Sequence, residues 1–316
     1  MPLSQLWYNT PSMTSQKQLL GHLAAIFTIF VWGVTFISTK VLLVSFSPIE
    51  IMFYRLILAT LALTIVSPPR LSLRQLDLSA LRKEWKAMAA GLCGVTLFFL
   101  LQNIALSYTL AANVSVLLSV IPLFTALVSR VVLNEKLKAG FFLGFTVAMV
   151  GIILITFNGS FILKLNPLGD LLTLLAALVW VFYSILIKGM SAQDGEVLAV
   201  TRKVFFYGLL FMLPALHLFS FRFGLERLTV LPNILNLLFL GVGGSAFCFF
   251  TWNFAVHHLG PVKTSVYLYL VPMVTIVASA FVLHEKITLL AGIGIALILS
   301  GMALSEWGNA FSKGRQ

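Results

Sequence analysis

Residues 115–136 read SVLLSVIPLFTALVSRVVLNEK, and residues 265–286 read SVYLYLVPMVTIVASAFVLHEK. The register between them is 150 residues, and it extends to both sides of these strings. Gly91, Gly94, Asn103, Ala105, Gly144 and Gly151 return as Gly241, Gly244, Asn253, Ala255, Gly294 and Gly301. Further upstream, Gly21 to Lys40 matches Gly169 to Lys188 at a register of 148, with Trp32 over Trp180 and Thr35 over Tyr183. Self-similarity at a fixed period marks a duplicated unit. Two copies are expected, over residues 1–158 and 159–316.

Hydrophobic residues make up 59% of the chain and charged residues only 10%, with a mean hydropathy of +1.01. An ordinary soluble domain carries about 25% charged residues, so the composition is that of a membrane protein. The formal net charge is +11. Loops on the cytoplasmic side of a membrane collect Lys and Arg, and no basic helix face interleaved with aromatics is present, so nucleic acid is not an expected partner. Cys93 and Cys248 lie in apolar runs and offer neither a disulfide framework nor a metal site. The residues up to about Gln18 are polar and lack the short apolar core of a cleaved leader, so the first span is expected to be retained.

Apolar runs long enough to cross the hydrocarbon core occur about ten times, at 21–44, 49–67, 87–108, 112–133, 139–158, 168–188, 198–219, 234–255, 262–283 and 287–306. Their continuity excludes the alternation of barrel strands, so an all-α integral membrane protein of ten transmembrane helices is expected. The connection from Ser67 to Lys86 holds Arg70, Arg74, Arg82, Lys83 and Lys86, which places it in the cytoplasm. Both termini then face the cytoplasm. Five spans per copy is an odd number, so the copies lie upside down relative to each other as two inverted five-helix repeats.

Phe30-Val31-Trp32-Gly33 with Lys40, Ser47-Pro48 with Arg55, Ala105 to Thr109 running to Pro122, and Asn134-Glu135-Lys136 carry a resemblance. The second half echoes it with Leu259-Gly260-Pro261, Ser265, Pro272 and His284-Glu285-Lys286. In their order and doubling these motifs resemble the drug/metabolite transporter superfamily, in particular its EamA-type family. The resemblance covers nearly the whole chain. It implies a ten-helix carrier of small organic solutes, many of them amino acids or derivatives, with a central cavity between the halves. The related small multidrug-resistance proteins carry a membrane-embedded Glu in their first helix, whereas Leu23 to Leu43 contains no acidic residue.

Residues that differ between the copies can be shaped to an asymmetric solute, while residues kept in both more often serve the architecture. Gln102 stands against Trp252, Ser119 against Tyr269, and Thr35 against Tyr183. With Trp32 and Trp180 the aromatic members could wall a site, by stacking or by holding an amine over a π face. Otherwise they mark the membrane interfaces. Asn103 and Asn253 either bond a neighbouring helix or line water, since an unpaired carboxamide in lipid is costly. Ser115 and Ser119 head a stripe of small residues through Pro122, Ala126 and Ser129 that serves close helix packing or, at its start, a solute. The candidate substrate-binding residues are therefore Trp32, Thr35, Gln102, Asn103, Ser115, Ser119, Trp180, Tyr183, Trp252 and Tyr269. Pro122 and Pro272 are expected to kink their helices, as a hinge or as a static bend.

Lys40, Lys188, Arg55 and Arg202 lie near span ends, where they can snorkel to the interface. Bent inward, Arg55 or Lys40 would instead meet an anion or carboxylate. Glu50 and Arg55 are poorly placed to pair, being five residues apart on a helix of about 3.6 residues per turn. The Glu135-Lys136 and Glu285-Lys286 turns are expected at opposite faces. His257-His258 lack a further ligand at usable spacing, so no metal and no cofactor are expected.

These readings lead to a secondary transporter in the inner (plasma) membrane that exports a small polar or amphipathic metabolite, such as an amino acid or derivative, by alternating access. Its partners would be the solute and the bilayer, and a monomer is compatible with the sequence. An ATP-binding motif is absent. An intramembrane enzyme would need paired catalytic groups, which are not apparent. A receptor or scaffold is the other rival, but inverted duplication suits alternating access better. Trp252→Ala or Tyr269→Phe should alter substrate preference with expression intact.

Overall fold

The computed structural model describes residues 15–69, 78–108, 114, 117–134, 139–157, 166–194, 196–218, 221, 223–282 and 289–310. The fold is all-α and multi-pass. Helix α1 covers Ser15–Leu42 and α2 covers Pro48–Val66. Residues 78–108 form α3, Ile121–Val132 α4 and Ala139–Phe157 α5. Pro167–Asp194 is α6, Val197–Leu218 is α7 and Leu231–Leu259 is α8. Residues 261–282 form α9 and Leu289–Ala310 forms α10. Among the described residues six helices are long and apolar enough to cross a membrane, and α4, α5 and α10 add shorter apolar stretches. Large apolar side chains cover the outside, with Ile65 and Phe281 each 78% exposed. Water would oppose such a surface, whereas lipid accepts it.

Local signals set the helix starts. Proline opens α2 at Pro48 and α9 at Pro261, where its missing N–H costs nothing. At the head of α2 the Glu50 carboxylate accepts the Ser47 N–H at 2.7 Å, one half of a capping box. The tight passage from α8 to α9 turns on Gly260, whose φ of 86° suits a residue without a side chain. At Pro122 the helix is interrupted just upstream of the proline. The proline lies in the first turn of α4, where the chain re-enters the helix after a turn at Ser119 and Val120. In α9 a 3-10 turn, Tyr267–Tyr269, precedes Pro272, so the irregularity falls just upstream of the proline.

Two segments depart from α geometry at matching places. Gly91–Leu97 within α3 and Phe239–Phe247 within α8 are π-helical, with Gly91 and Gly241 in the same register. Each π segment packs on helices from the other half. A Cβ on Gly91 would stand 2.6 Å from the Val204 carbonyl of α7, and one on Gly241 would stand 2.5 Å from Leu58 of α2. A Cβ on Gly94 would enter the Tyr183 ring of α6, and one on Gly244 would stand 2.7 Å from Thr35 of α1. The halves are thus interleaved around these crossings.

Helices α5 and α10 pack tightly and run antiparallel. Gly144 lies against Gly301 and Ser305, and seven residues on Gly151 lies against Gly294 and Ile298. Small residues let the two backbones approach closely, which is how helices associate in lipid. The Glu135-Lys136 and Glu285-Lys286 turns lie outside the described residues, as does Ser115.

Candidate functional site

Of the aromatic residues picked out by comparing the copies, Trp32, Trp180, Tyr183 and Trp252 meet at the crossing of α1, α3, α6 and α8. The Trp32 ring lies 5.1 Å from Trp252 and 5.6 Å from Trp180, centroid to centroid. Trp180 lies 5.0 Å from Tyr183, 6.1 Å from Trp252 and 4.7 Å from Phe98. Phe249 joins at 5.7 Å from both Trp32 and Trp180. Such tilted and edge-to-face pairs add about 0.5–1.5 kcal/mol each beyond burial. Trp180, Tyr183 and Trp252 are buried and Trp32 is half-buried. They are therefore interior groups of the bundle.

Hydrogen bonding separates the members. Trp32 Nε1 donates to the Gly244 carbonyl at 2.9 Å, an acceptor offered by the π segment of α8. The Tyr183 hydroxyl donates to Asn253 Oδ1 at 2.6 Å, and Asn253 Nδ2 donates to Thr201 Oγ1 at 2.9 Å. Asn253 accordingly ties three helices together. Thr35 Oγ1 donates to the Trp32 carbonyl within its own helix. By contrast, the indole N–H groups of Trp180 and Trp252 are buried with no acceptor among the described residues. An unpaired buried donor costs about 1–3 kcal/mol, and such groups call for an explanation.

Other candidates fall elsewhere. Tyr269 is buried with its hydroxyl unpaired among the described residues, and its ring faces Phe145 of α5 at 6.4 Å. Ser119 is buried at the head of α4. Gln102 is half-buried on α3, one turn beyond Phe98 and Phe99 on the same helix face. Asn103 lines a pocket of about 250 Å³ between the start of α2 and the end of α3, with Pro48, Met52, Leu100 and Tyr108.

For Arg55 the sequence leaves two readings, a snorkelling side chain or one bent inward. Its guanidinium turns inward. Nε donates to Ser245 Oγ, Nη2 lies 3.4 Å from the Gly244 carbonyl, and the group sits 4.5 Å over the Phe99 ring. Lys188 and Arg202 do cap backbone, at the carbonyls of His257 (2.7 Å) and Ser67 (2.6 Å). The Lys40 side chain lies outside the described residues.

Ion pairs join the halves at both ends of α2. At its start, Arg227 in the 3-10 turn Leu225–Thr229 reaches Glu50 with Nη2 at 3.0 Å and Nη1 at 3.1 Å, and donates to the Ser45 carbonyl at 2.7 Å. The hydrogen-bonded Glu50 carboxylate raises the Arg227 pKa above its ordinary value. Beyond the other end, Lys203 of α7 meets Glu84 of α3 at 2.6 Å. The Glu50 side chain is 5% exposed. Removing one partner of a buried pair costs about 3–5 kcal/mol and leaves the other charge stranded. Because Arg227 stays partly open to solvent, Glu50→Gln or Arg227→Gln should each lower stability by up to about 3 kcal/mol. In a double-mutant cycle on thermal unfolding in detergent, the double variant should lose clearly less than the sum.

Among the described residues no cluster of three His, Cys, Asp or Glu side chains is placed to hold a metal. The EamA-like transporter family model matches the chain twice, over residues 19–157 and 167–307. An uncharacterized transporter of Archaeoglobus fulgidus is 30% identical over 291 residues, covering 90% of this chain and 96% of its own. A protein of Streptantibioticus cattleyicolor described as a "probable terminal-alkyne amino-acid exporter" is 27% identical, with 89% and 91% covered. An inner membrane transporter of Escherichia coli K12 is 24% identical, with 92% of each chain covered. A solved crystal structure at 18% identity superposes with a TM-score of 0.74 over 93% of this chain and 97% of its own, which speaks for the fold. With matches over both halves and a bundle of apolar helices around a shared aromatic crossing, the chain is a multi-pass membrane transporter and belongs to the EamA-like transporter family.

Proposed function

We propose that the protein is a secondary exporter in the inner (plasma) membrane, moving a small polar or amphipathic metabolite such as an amino acid or derivative by alternating access. Ten spans would form two inverted five-helix repeats, residues 1–158 and 159–316, with both termini in the cytoplasm. The antiparallel run of α5 against α10 supports inversion, since these are equivalent helices of the two copies. The amino-acid exporter among the relatives supports the substrate class and the direction. The observation that carries the site is the pair of buried indole donors of Trp180 and Trp252 at the crossing of the halves, without acceptors among the described residues, where a solute could supply them.

Alternating exposure requires each end to open in turn. The Glu50–Arg227 and Glu84–Lys203 pairs, which join the halves at opposite ends, suit that role as links that must break for opening. The test is flux from proteoliposomes loaded with a mixed panel of amino acids, amines and nucleosides, read by mass spectrometry under imposed pH gradients. The expected outcome is selective loss of one chemical class from vesicles bearing the protein. No flux of any solute from vesicles bearing folded protein would overturn the reading.

A further inference from the structure

Arg55 is the eighth residue of α2, about 10 Å from the start of the helix at a rise of about 1.5 Å per residue. An arginine at the centre of a span costs about 2.5–3.5 kcal/mol on insertion scales and is kept where it has work to do. Its partners are all neutral: Ser245, the Gly244 carbonyl and the face of Phe99. No carboxylate pairs with it among the described residues, and Nη1 donates to no described acceptor. The side chain is half-buried. A positive charge is therefore held inside the bundle by neutral groups alone among the described residues.

The surroundings indicate where a counter-ion would come from. Met52 of α2 and Asn103 of α3 line the pocket at the end of these helices. Arg55 is one turn beyond Met52 and Phe99 is one turn before Asn103, each on the same face of its helix. Both therefore lie one turn deeper along α2 and α3 than the residues that line the pocket, and Phe99 in turn meets Phe249, which meets Trp32. Resting on the transport reading above, we infer that Arg55 is the receptor for a carboxylate on the transported solute. The planar guanidinium fork matches a carboxylate, and one such group balances one charge. A phosphate dianion would bring two negative charges to a single guanidinium, with no second cation in contact among the described residues. The apolar remainder of the solute would lie on Phe99 and the indole rings.

Matched ligands test this on the purified full-length protein, with tryptophan fluorescence as the readout. The pairs are phenylalanine against phenylalaninamide, leucine against leucinamide, and phenylacetate against phenylacetamide, with phenyl phosphate as a further anion. In at least one pair the wild-type protein should bind the carboxylate about tenfold or more tighter than the amide, the scale of a charge-assisted hydrogen bond. Arg55→Gln should bring that ratio to about one while amide binding persists, and Arg55→Lys should keep part of it. Equal binding in every pair, a preference that survives Arg55→Gln, or tighter binding of phenyl phosphate would overturn the inference. If Arg55→Gln does not yield folded protein, the wild-type ratios decide alone. The same compounds in proteoliposomes separate the two readings: amides moved as well as carboxylates would sink the Arg55 assignment and leave transport standing, whereas no movement of any solute would sink transport itself.

Discussion

Gly144→Val is expected to prise α5 from α10 and to cost about 3 kcal/mol or more, at or above the top of the usual range for overpacking. A Cβ at this position would run into the Gly301 carbonyl and Ser305, with the Ser305 backbone nitrogen at 2.5 Å. Those obstacles are largely backbone, so no side chain can swing aside. The same holds in mirror fashion at Gly301, where a Cβ would stand 2.5 Å from the Ala148 nitrogen and 2.6 Å from the Gly144 carbonyl. In lipid the pair has no hydrophobic drive to hold it at a greater separation, because packing is what joins the helices. The measurement is thermal unfolding in detergent, with a fall on the order of 10 °C expected for a loss of this size. Gly292→Ala on α10 is the control. Nothing among the described residues lies within 4 Å of a Cβ there, so that variant should melt at or slightly above the wild-type temperature.

Trp252→Ala should cost about 3–5 kcal/mol, as large-to-small changes at buried aromatics do. Trp252 is only 1% exposed and leans on Trp32 and Trp180, so the change leaves a void in the middle of the crossing. The expectation of unchanged expression therefore gives way to a lower yield and a lower melting temperature. Among molecules that fold, the enlarged site should favour bulkier solutes, read as a change in rank order across a competition panel. Tyr269→Phe behaves differently. Its hydroxyl has no partner among the described residues, so removing it should leave stability unchanged or improve it. Equal stability of Trp252→Ala and wild type would contradict the packing described here.

The duplicated plan was legible because glycine, proline and asparagine punctuate both copies in one register, and helical spans in lipid need little beyond length and apolarity to be seen. The aromatic members of the crossing were legible too, through the mismatch of Trp252 with Gln102 and the match of Trp32 with Trp180. Which face each presents was not. Tyr183 and Thr35 occupy equivalent places, yet one hydroxyl reaches Asn253 and the other folds back on its own helix. That outcome depends on rotation and neighbour spacing, which no pattern of residue types records. The Glu50–Arg227 pair was hidden because its basic member sits in a polar connection 177 residues away. The choice between the two readings of Arg55 was hidden for a related reason. Distance from a span end suggests an outward reach, and only the Ser245, Gly244 and Phe99 contacts reveal the inward one. The π segments carry no distinctive composition, so an i to i+5 ladder is invisible until the backbone is seen.

Those π segments also bear on how the chain could be divided. Gly91–Leu97 and Phe239–Phe247 fall at equivalent places in the two halves. Each widened turn rests on the first two helices of the opposite half, Gly91 and Gly94 on Val204 and Tyr183, Gly241 and Gly244 on Leu58 and Thr35. A cut between the halves would strip the bed from both turns at once, so neither half expressed alone would keep the packing it has in the whole chain.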